Sequence, residues 1–152
     1  MKNFKFNLDP LLRLKDVEKK KIELELAHCQ LDIENHHSQL ESEHRSIRDM
    51  LSEAEISVTK GGTIISLMSI PSILEVKKRN IKLLENQIKK LDLIRQEILM
   101  RLNTKNSEID NIEERKVEKV KEYKKEIDKI QEENRSDLYK SIVHRRKSGI
   151  AI

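Results

Sequence analysis

Between Pro10 and the Gly61-Gly62 pair the chain contains neither glycine nor proline, and between Pro71 and Gly149 it again contains neither. Two uninterrupted runs of that length leave room for long helices and little else. The tight turns of a β-sandwich or an α/β enzyme draw on glycine and proline, and here 3 Gly and 2 Pro serve 152 residues. Aromatics make up 3% and Trp is absent, so no bulky globular core is available. Disorder does not follow either. The sequence holds 18 Leu, 19 Ile, 6 Val and 2 Phe, about 30%, above the roughly 20% at which disorder becomes the default. These aliphatic residues are spread through a background that is 38% charged, which is coiled-coil composition.

The spacing of the apolar residues agrees. Asp9-Pro10 reads as a helix start, with Asp at N-cap and Pro at the first helical position. Leu26, Ile33, Leu40, Ile47 and Ala54 stand seven apart. Ile22, Cys29, His36, Glu43 and Met50 fill the alternating seam positions, a mixed set. Phe4, Phe6, Leu8, Leu11, Leu12 and Leu14 form a separate apolar cluster at the N-terminus. After Gly61-Gly62, the stretch from Thr63 to Ile70 adds a helical turn, Pro71 interrupts again, and Ser72 suits an N-cap. A second stripe follows: Leu74, Ile81, Leu84, Ile88, Leu91, Ile98, Leu102, Ile109 and Ile112, with gaps at Lys77, Arg95 and Lys105. Beyond Ile112 the register changes to Val120, Tyr123, Ile127 and Ile130. The extra residues around Lys116 read as a stutter, which locally unwinds a left-handed supercoil. Acid-before-base pairs at i,i+4 support the helices: Asp16–Lys20, Glu85–Lys89 and Glu97–Arg101.

The expected fold is therefore all-α: two long helices joined by one short break into an antiparallel coiled-coil hairpin, the second helix longer. We expect one domain over 1–152, with helix 1 at about 10–58, the turn at about 59–72 and helix 2 at about 73–145. At about 1.5 Å per residue the helices span roughly 73 and 111 Å, so the second overhangs where both chain termini lie. Its apolar positions from Val120 to Ile130 are then free to face a partner.

Charge and motifs narrow the function. Net charge is +4, and it is unevenly shared: residues 1–58 hold 9 basic and 12 acidic side chains, and 59–152 hold 22 and 15. The final stretch from Tyr139 to Ile152 carries Lys140, Arg145, Arg146 and Lys147 without an acid. Such a tail suits nucleic acid, a membrane surface or an acidic protein, or is simply a solvated helix end. No aromatics interleave with the basic residues, so a single-strand stacking platform is not expected.

The opening MKNFKFNLDPLLRLKD lacks the apolar run and cleavage site of a signal peptide. No run approaches the ~20 residues of a transmembrane helix, and the lone Cys29 implies no oxidising compartment. The expected location is cytoplasmic.

Enzymatic chemistry is not expected. Lys60-Gly61-Gly62-Thr63 has the wrong spacing for a phosphate-binding loop, and no strand precedes it. Cys29 to His36 and His37 to His44 are seven apart, about 10 Å along a helix, too far to share one ion. His28, His36, His37, His44 and His144 therefore suggest no metal. His36 reads as an adaptable polar seam residue and Cys29 as a small buried one. No lysine, arginine or helix N-terminus lies near Cys29 to make it a nucleophile, and a helix surface offers no dry cleft for catalytic carboxylates. We expect no enzyme, no cofactor and no metal.

The opening Phe4-Lys5-Phe6-Asn7-Leu8-Asp9-Pro10-Leu11-Leu12-Arg13-Leu14-Lys15 is similar to F-x-F-x-L-x-x-L-L-x-L-K/R, the start of the FliJ family of flagellar export proteins. The chain resembles that family further in Leu24, Ala27 and Leu31, in Gly62 followed by Ile81, Leu84, Gln87 and Ile88, and in Ile112-Glu113-Glu114-Arg115-Lys116, close to L-x-E-R-R. Lys116 stands where the family often has Arg, and its usual mid-hairpin aromatics are missing.

The resemblance implies a soluble component of the flagellar type III export apparatus, similar to the γ stalk of a rotary ATPase. Its two chain ends would project into the hexameric export ATPase FliI. It would also contact the export gate protein FlhA, escort export chaperones, and lie against the inner face of the cytoplasmic membrane through the gate. On this resemblance the ATPase-binding candidates are Phe4, Phe6, Leu11, Leu12, Leu14, Glu114, Arg115 and Lys116. The gate-binding candidates are Glu43, Ile47, Met50, Ala54, Lys77, Ile81, Leu84 and Ile88. Packing within the hairpin is the competing role for both sets. Two other readings stay open: the stalk of a virulence-type injectisome, and a basic structural coiled coil that binds nucleic acid or tethers an assembly. A parallel homodimeric coiled coil is disfavoured by Gly61-Gly62 and Pro71.

Overall fold

A computed structural model describes residues 4–62 and 64–149. Three helices follow in order: α1 (Asp9–Thr59), the short α2 (Ile64–Met68) and α3 (Ile70–Ser148). No strand occurs among the described residues. The two long helices form an antiparallel hairpin. Side-chain contacts between them fall in opposite numerical order: Asp9 reaches Lys116, Lys15 reaches Glu108, Glu25 reaches Arg101 and Glu43 reaches Lys77. As expected, the second helix is the longer, 79 residues against 51.

The helix ends explain where the chain stops and starts. The Leu8 carbonyl accepts from the Leu12 N–H at 2.9 Å, which makes Leu8 the N-cap, not Asp9 as the sequence suggested. Asp9 sits in the first turn, where the helix dipole favours its charge, and its carboxylate goes to Lys116.

At the other end, the Gly62 N–H donates to the Ser57 carbonyl at 2.7 Å and the Gly61 N–H to the Val58 carbonyl at 3.4 Å. That pair of bonds is a Schellman cap. Gly61 has φ of +75°, and a Cβ on Gly62 would come within 2.9 Å of the Ser57 carbonyl oxygen. The two glycines are thus needed for different reasons: Gly61 for a left-handed backbone, Gly62 for close approach to α1. Gly61→Ala should cost about 1 kcal/mol, measured as a fall in thermal midpoint; an unchanged midpoint would mean this cap is not formed in solution.

The break is shorter than the expected turn at 59–72. Part of it is α2, and Thr63, from which the added turn was expected, lies outside the described residues. Pro71 does not interrupt, and Ser72 is not the cap. α3 already begins at Ile70, with the Ser69 carbonyl accepting from the Ile73 N–H at 3.2 Å. Proline is tolerated there because first-turn N–H groups have no helical partner to lose.

Contacts divide the chain into two compact units. The first is Glu18–Thr104. Its core is Ile22, Cys29, Ile33 and Ile98, with Leu26, Leu91 and Leu102 packed against them. Inward-facing residues on α1 recur at alternating steps of three and four: Ile22, Leu26, Cys29, Ile33, His36, Leu40, Glu43, Ile47, Met50 and Ala54. This is the heptad seam that the sequence spacing anticipates. Cys29 is buried, and its Sγ donates to the Leu91 carbonyl at 3.5 Å. His36 is half-buried, and its Nδ1 is shielded from water without a hydrogen-bond partner.

On α3 the seam runs through Leu74, Lys77, Ile81, Leu84, Ile88, Leu91, Arg95, Ile98 and Leu102. Lys77 and Arg95 are therefore seam members, not gaps. Lys77 reaches Glu43 across the hairpin at 2.9 Å, and Arg95 reaches Asp92 at 3.1 Å. A long cationic side chain can lie along apolar surface while its head finds a carboxylate at the edge. Arg101 bonds Glu25 across the hairpin at 2.6 Å, although the sequence paired it with Glu97. Intrahelical i,i+4 pairs form at Glu41–Arg45 and Glu75–Arg79.

The second unit is Met1–Val17 with Lys105–Ile152. Phe6, Ile109 and Ile112 are buried, while Phe4, Leu8, Leu12, Val120, Tyr123 and Ile127 are half-buried. Here the α3 seam reads Ile109, Ile112, Lys116, Val120, Tyr123 and Ile127. The two successive steps of four at Lys116 are the expected stutter. Val120, Tyr123 and Ile127, expected to be free, are thus partly covered, whereas Ile130 is exposed as the overhang requires, as is every residue from 128 to 142.

Candidate partner-binding surfaces

The N-terminal segment before α1 is built to fold against α3. Residues 4–6 are non-helical, and the alternation of Phe4 and Phe6 turns both rings to one side. Phe4 meets Tyr123 with ring centroids 5.4 Å apart and planes tilted by 46°, an offset geometry that aromatic pairs favour. Phe6 is buried, and the Lys116 Nζ lies 5.8 Å from its ring centroid, within cation–π range. The same Nζ donates to the Asp9 carboxylate at 2.7 Å. One lysine at the stutter thus ties the first turn of α1 and the aromatic segment ahead of it to α3.

The eight ATPase-side candidates divide by direction. Phe4, Phe6, Leu12 and Lys116 turn inward. Leu11 and Leu14 are 38% and 53% exposed, and Glu114 and Arg115 also face solvent. A further contact fixes this unit. Glu108 accepts from Lys15 at 2.8 Å and from Lys105 at 3.0 Å. The hydrogen bonds from Lys15 and then Lys105 hold its carboxyl below the ordinary range. Lys105, a gap in the apolar stripe, is accordingly a seam residue neutralised by its neighbour.

The eight gate-side candidates all lie in Glu18–Thr104 and all face the seam. Glu43, Ile47, Met50, Ala54, Lys77, Ile81 and Leu84 are half-buried and Ile88 is buried. Some still reach the surface at the seam edge. Glu43 and Leu84 line an open groove with Gln39, Ser42, Asn80, Leu83 and Gln87. Met50 and Ala54 line another with Ser57, Leu67, Ile70 and Ile73. Periodicity did not single out the outward apolar ridge of this unit. Leu24 and Leu31 on α1, and Leu93 and Met100 on α3, are each seven apart and each more than half exposed. The signal was present in the sequence as a second heptad set outside the seam.

Among the described residues no group of three His, Cys, Asp or Glu side chains is placed to hold a metal ion. No helix there is long and apolar enough to cross a membrane. The grooves are open and bounded by helix faces.

A family model described as "Flagellar FliJ protein" matches residues 4–149. No curated protein matches the chain, and no solved structure matches it.

Proposed function

Since this chain belongs to the FliJ family of flagellar proteins, with an export-related role, we propose that it is the soluble stalk and chaperone-escort component of the type III export apparatus. In this reading it resembles the γ subunit of a rotary ATPase. It binds and stimulates the hexameric export ATPase FliI, couples it to the export gate FlhA, and escorts export chaperones. It acts by contact and carries no catalytic centre. It works in the cytoplasm, against the inner membrane face at the flagellar base, and it folds and acts as one hairpin domain.

The observation that carries the reading is the asymmetry of the unit holding both chain ends. The N-terminal segment is pinned to α3 through Phe4, Phe6 and Asp9. Past Ile127, α3 continues to Ser148 with its side chains open to solvent, apart from a half-buried Val143. A paired helix that continues as a single exposed one is the form a shaft needs to enter a ring. Leu11, Leu14, Glu114 and Arg115 then make the ATPase contact, and Phe4, Phe6, Leu12 and Lys116 position them. For the gate, Glu43, Met50, Ala54 and Leu84 form the contact in the grooves that border the seam, and Ile47, Lys77, Ile81 and the buried Ile88 hold the two helices together beneath them.

Co-purification tests this reading: the intact chain should retain both the export ATPase and the cytoplasmic domain of the gate. Retention of neither would overturn it, and retention only by an injectisome ATPase would move the chain to that branch. The nucleic-acid alternative predicts DNA retention that falls steeply with salt.

A further inference from the structure

We infer that the last described turns of α3 form a docking surface for an anionic phospholipid bilayer. Leu138, Tyr139 and Ile142 are 64%, 70% and 53% exposed, and Val143 is half-buried beside them. At i, i+1, i+4 and i+5 these four side chains share one face of the helix. They do not prolong the coiled-coil seam. Continued from Ile127 and Ile130, the seam would pass through Asn134, Asp137, Ser141 and His144, all polar. The apolar face at the end of α3 is therefore set on a different side of the helix, and a partner coiled-coil helix in register with the seam would not meet it.

The charges identify the occupant. No Asp or Glu follows Asp137 in the sequence. Lys140 is paired with Asp137 at 3.5 Å. Arg145, Arg146 and Lys147, which complement the negative end of the helix dipole, have no acidic partner among the described residues. Arg146 stands one turn past Ile142 on the apolar face itself, and Arg145 and Lys147 stand on its two edges. Against an apolar protein groove a cation in that position would be buried and would need a matching anion. At a bilayer surface the same long side chains lie along the apolar residues and place their heads among lipid phosphates. Tyr139 suits the same depth, with an apolar ring and a polar hydroxyl. The hydroxyls of Ser141 and Ser148 are satisfied within the helix by the Leu138 and His144 carbonyls, at 3.0 and 2.9 Å.

These residues lie at the end of the helix that the proposed function sends into the ATPase ring, so bilayer docking belongs to the chain free of the ATPase, and the test contains neither the ATPase nor the gate. The intact chain is floated with vesicles of phosphatidylcholine alone and of phosphatidylcholine with phosphatidylglycerol. It should bind only the anionic vesicles and dissociate as salt rises. The triple substitution R145Q/R146Q/K147Q should weaken binding by roughly a hundredfold, about fivefold per cation. The substitutions Y139S and I142S together should weaken it severalfold with all charges kept. Both variants are to be checked for unchanged helicity and melting. Three results would overturn the proposal: no binding to either vesicle, equal binding to both, or an anionic-vesicle affinity unaffected by Y139S and I142S. The last would identify a polyanion-binding tail, with DNA held equally well.

Discussion

Ile98→Asp should abolish the cooperative thermal unfolding of Glu18–Thr104. Ile98 is 4% exposed and sits among Ile22, Cys29 and Ile33, with Leu26, Leu91 and Leu102 around them. Removing a buried aliphatic side chain of this size costs about 2–5 kcal/mol. An Asp there adds the cost of holding a carboxyl group in an apolar seam without a partner, about 1–3 kcal/mol or more. Together these approach the whole stability of an ordinary domain, about 5–15 kcal/mol. Leu93→Asp is the control. Leu93 is 62% exposed on the outer face of the same helix, and its replacement should shift the midpoint little. The readout is helical circular dichroism against temperature. A cooperative melt retained by Ile98→Asp, or lost with Leu93→Asp, would mean that the seam runs on a different face.

Deleting residues from Asp128 onward should abolish stimulation of the export ATPase while leaving the hairpin intact. The cut leaves in place the described contacts that hold residues 4–17 to α3. Phe4–Tyr123, Phe6–Lys116, Asp9–Lys116 and Lys15–Glu108 all lie before it. The described side chains in the deleted segment are exposed apart from the half-buried Val143, so little buried apolar area is lost and stability should change by less than about 1 kcal/mol. Total helicity should fall in proportion to the residues removed, with the melting midpoint unmoved. Stimulation retained in full by this variant would mean that the exposed end of α3 is dispensable and that contact through Leu11, Leu14, Glu114 and Arg115 suffices.

Much of this fold is legible in the sequence because helix pairing writes a simple signal. Apolar residues at steps of three and four, running between two glycine breaks, predict both helices, their antiparallel pairing, and even the stutter at Lys116. The pattern loses resolution where a seam position is filled by a charge. Lys77, Arg95 and Lys105 look like gaps because hydropathy registers their ammonium or guanidinium heads. The structure half-buries these side chains and sends their heads to Glu43, Asp92 and Glu108. The same limit applies at the N-terminus. Asp9 is a good capping residue by type, but a carboxylate that can reach Lys116 107 residues away has a use that local spacing cannot reveal. Pro71 and Ser72 miss by the width of one helical turn, because proline breaks a helix interior and fits a first turn equally well.

The candidate sites were less legible, for a related reason. A stripe of apolar residues marks a surface that will be covered, without saying whether by the chain itself or by a partner. Phe4, Phe6 and Leu12 turn out to be covered by their own α3, and Ile88 by its own α1. Leu11 and Leu14, one helical turn apart, face away. Only the three-dimensional pairing separates these directions. The exposure of Ile130 makes the same point: its spacing continues the seam, but no opposing helix remains to cover it.

As proposed, this chain is a stalk that drives an ATPase by contact. ATP hydrolysis by the hexameric export ATPase, titrated with the intact chain, tests it most directly. The hydrolysis rate should rise and saturate. Hydrolysis that stays flat across concentrations at which the complex co-purifies would contradict it.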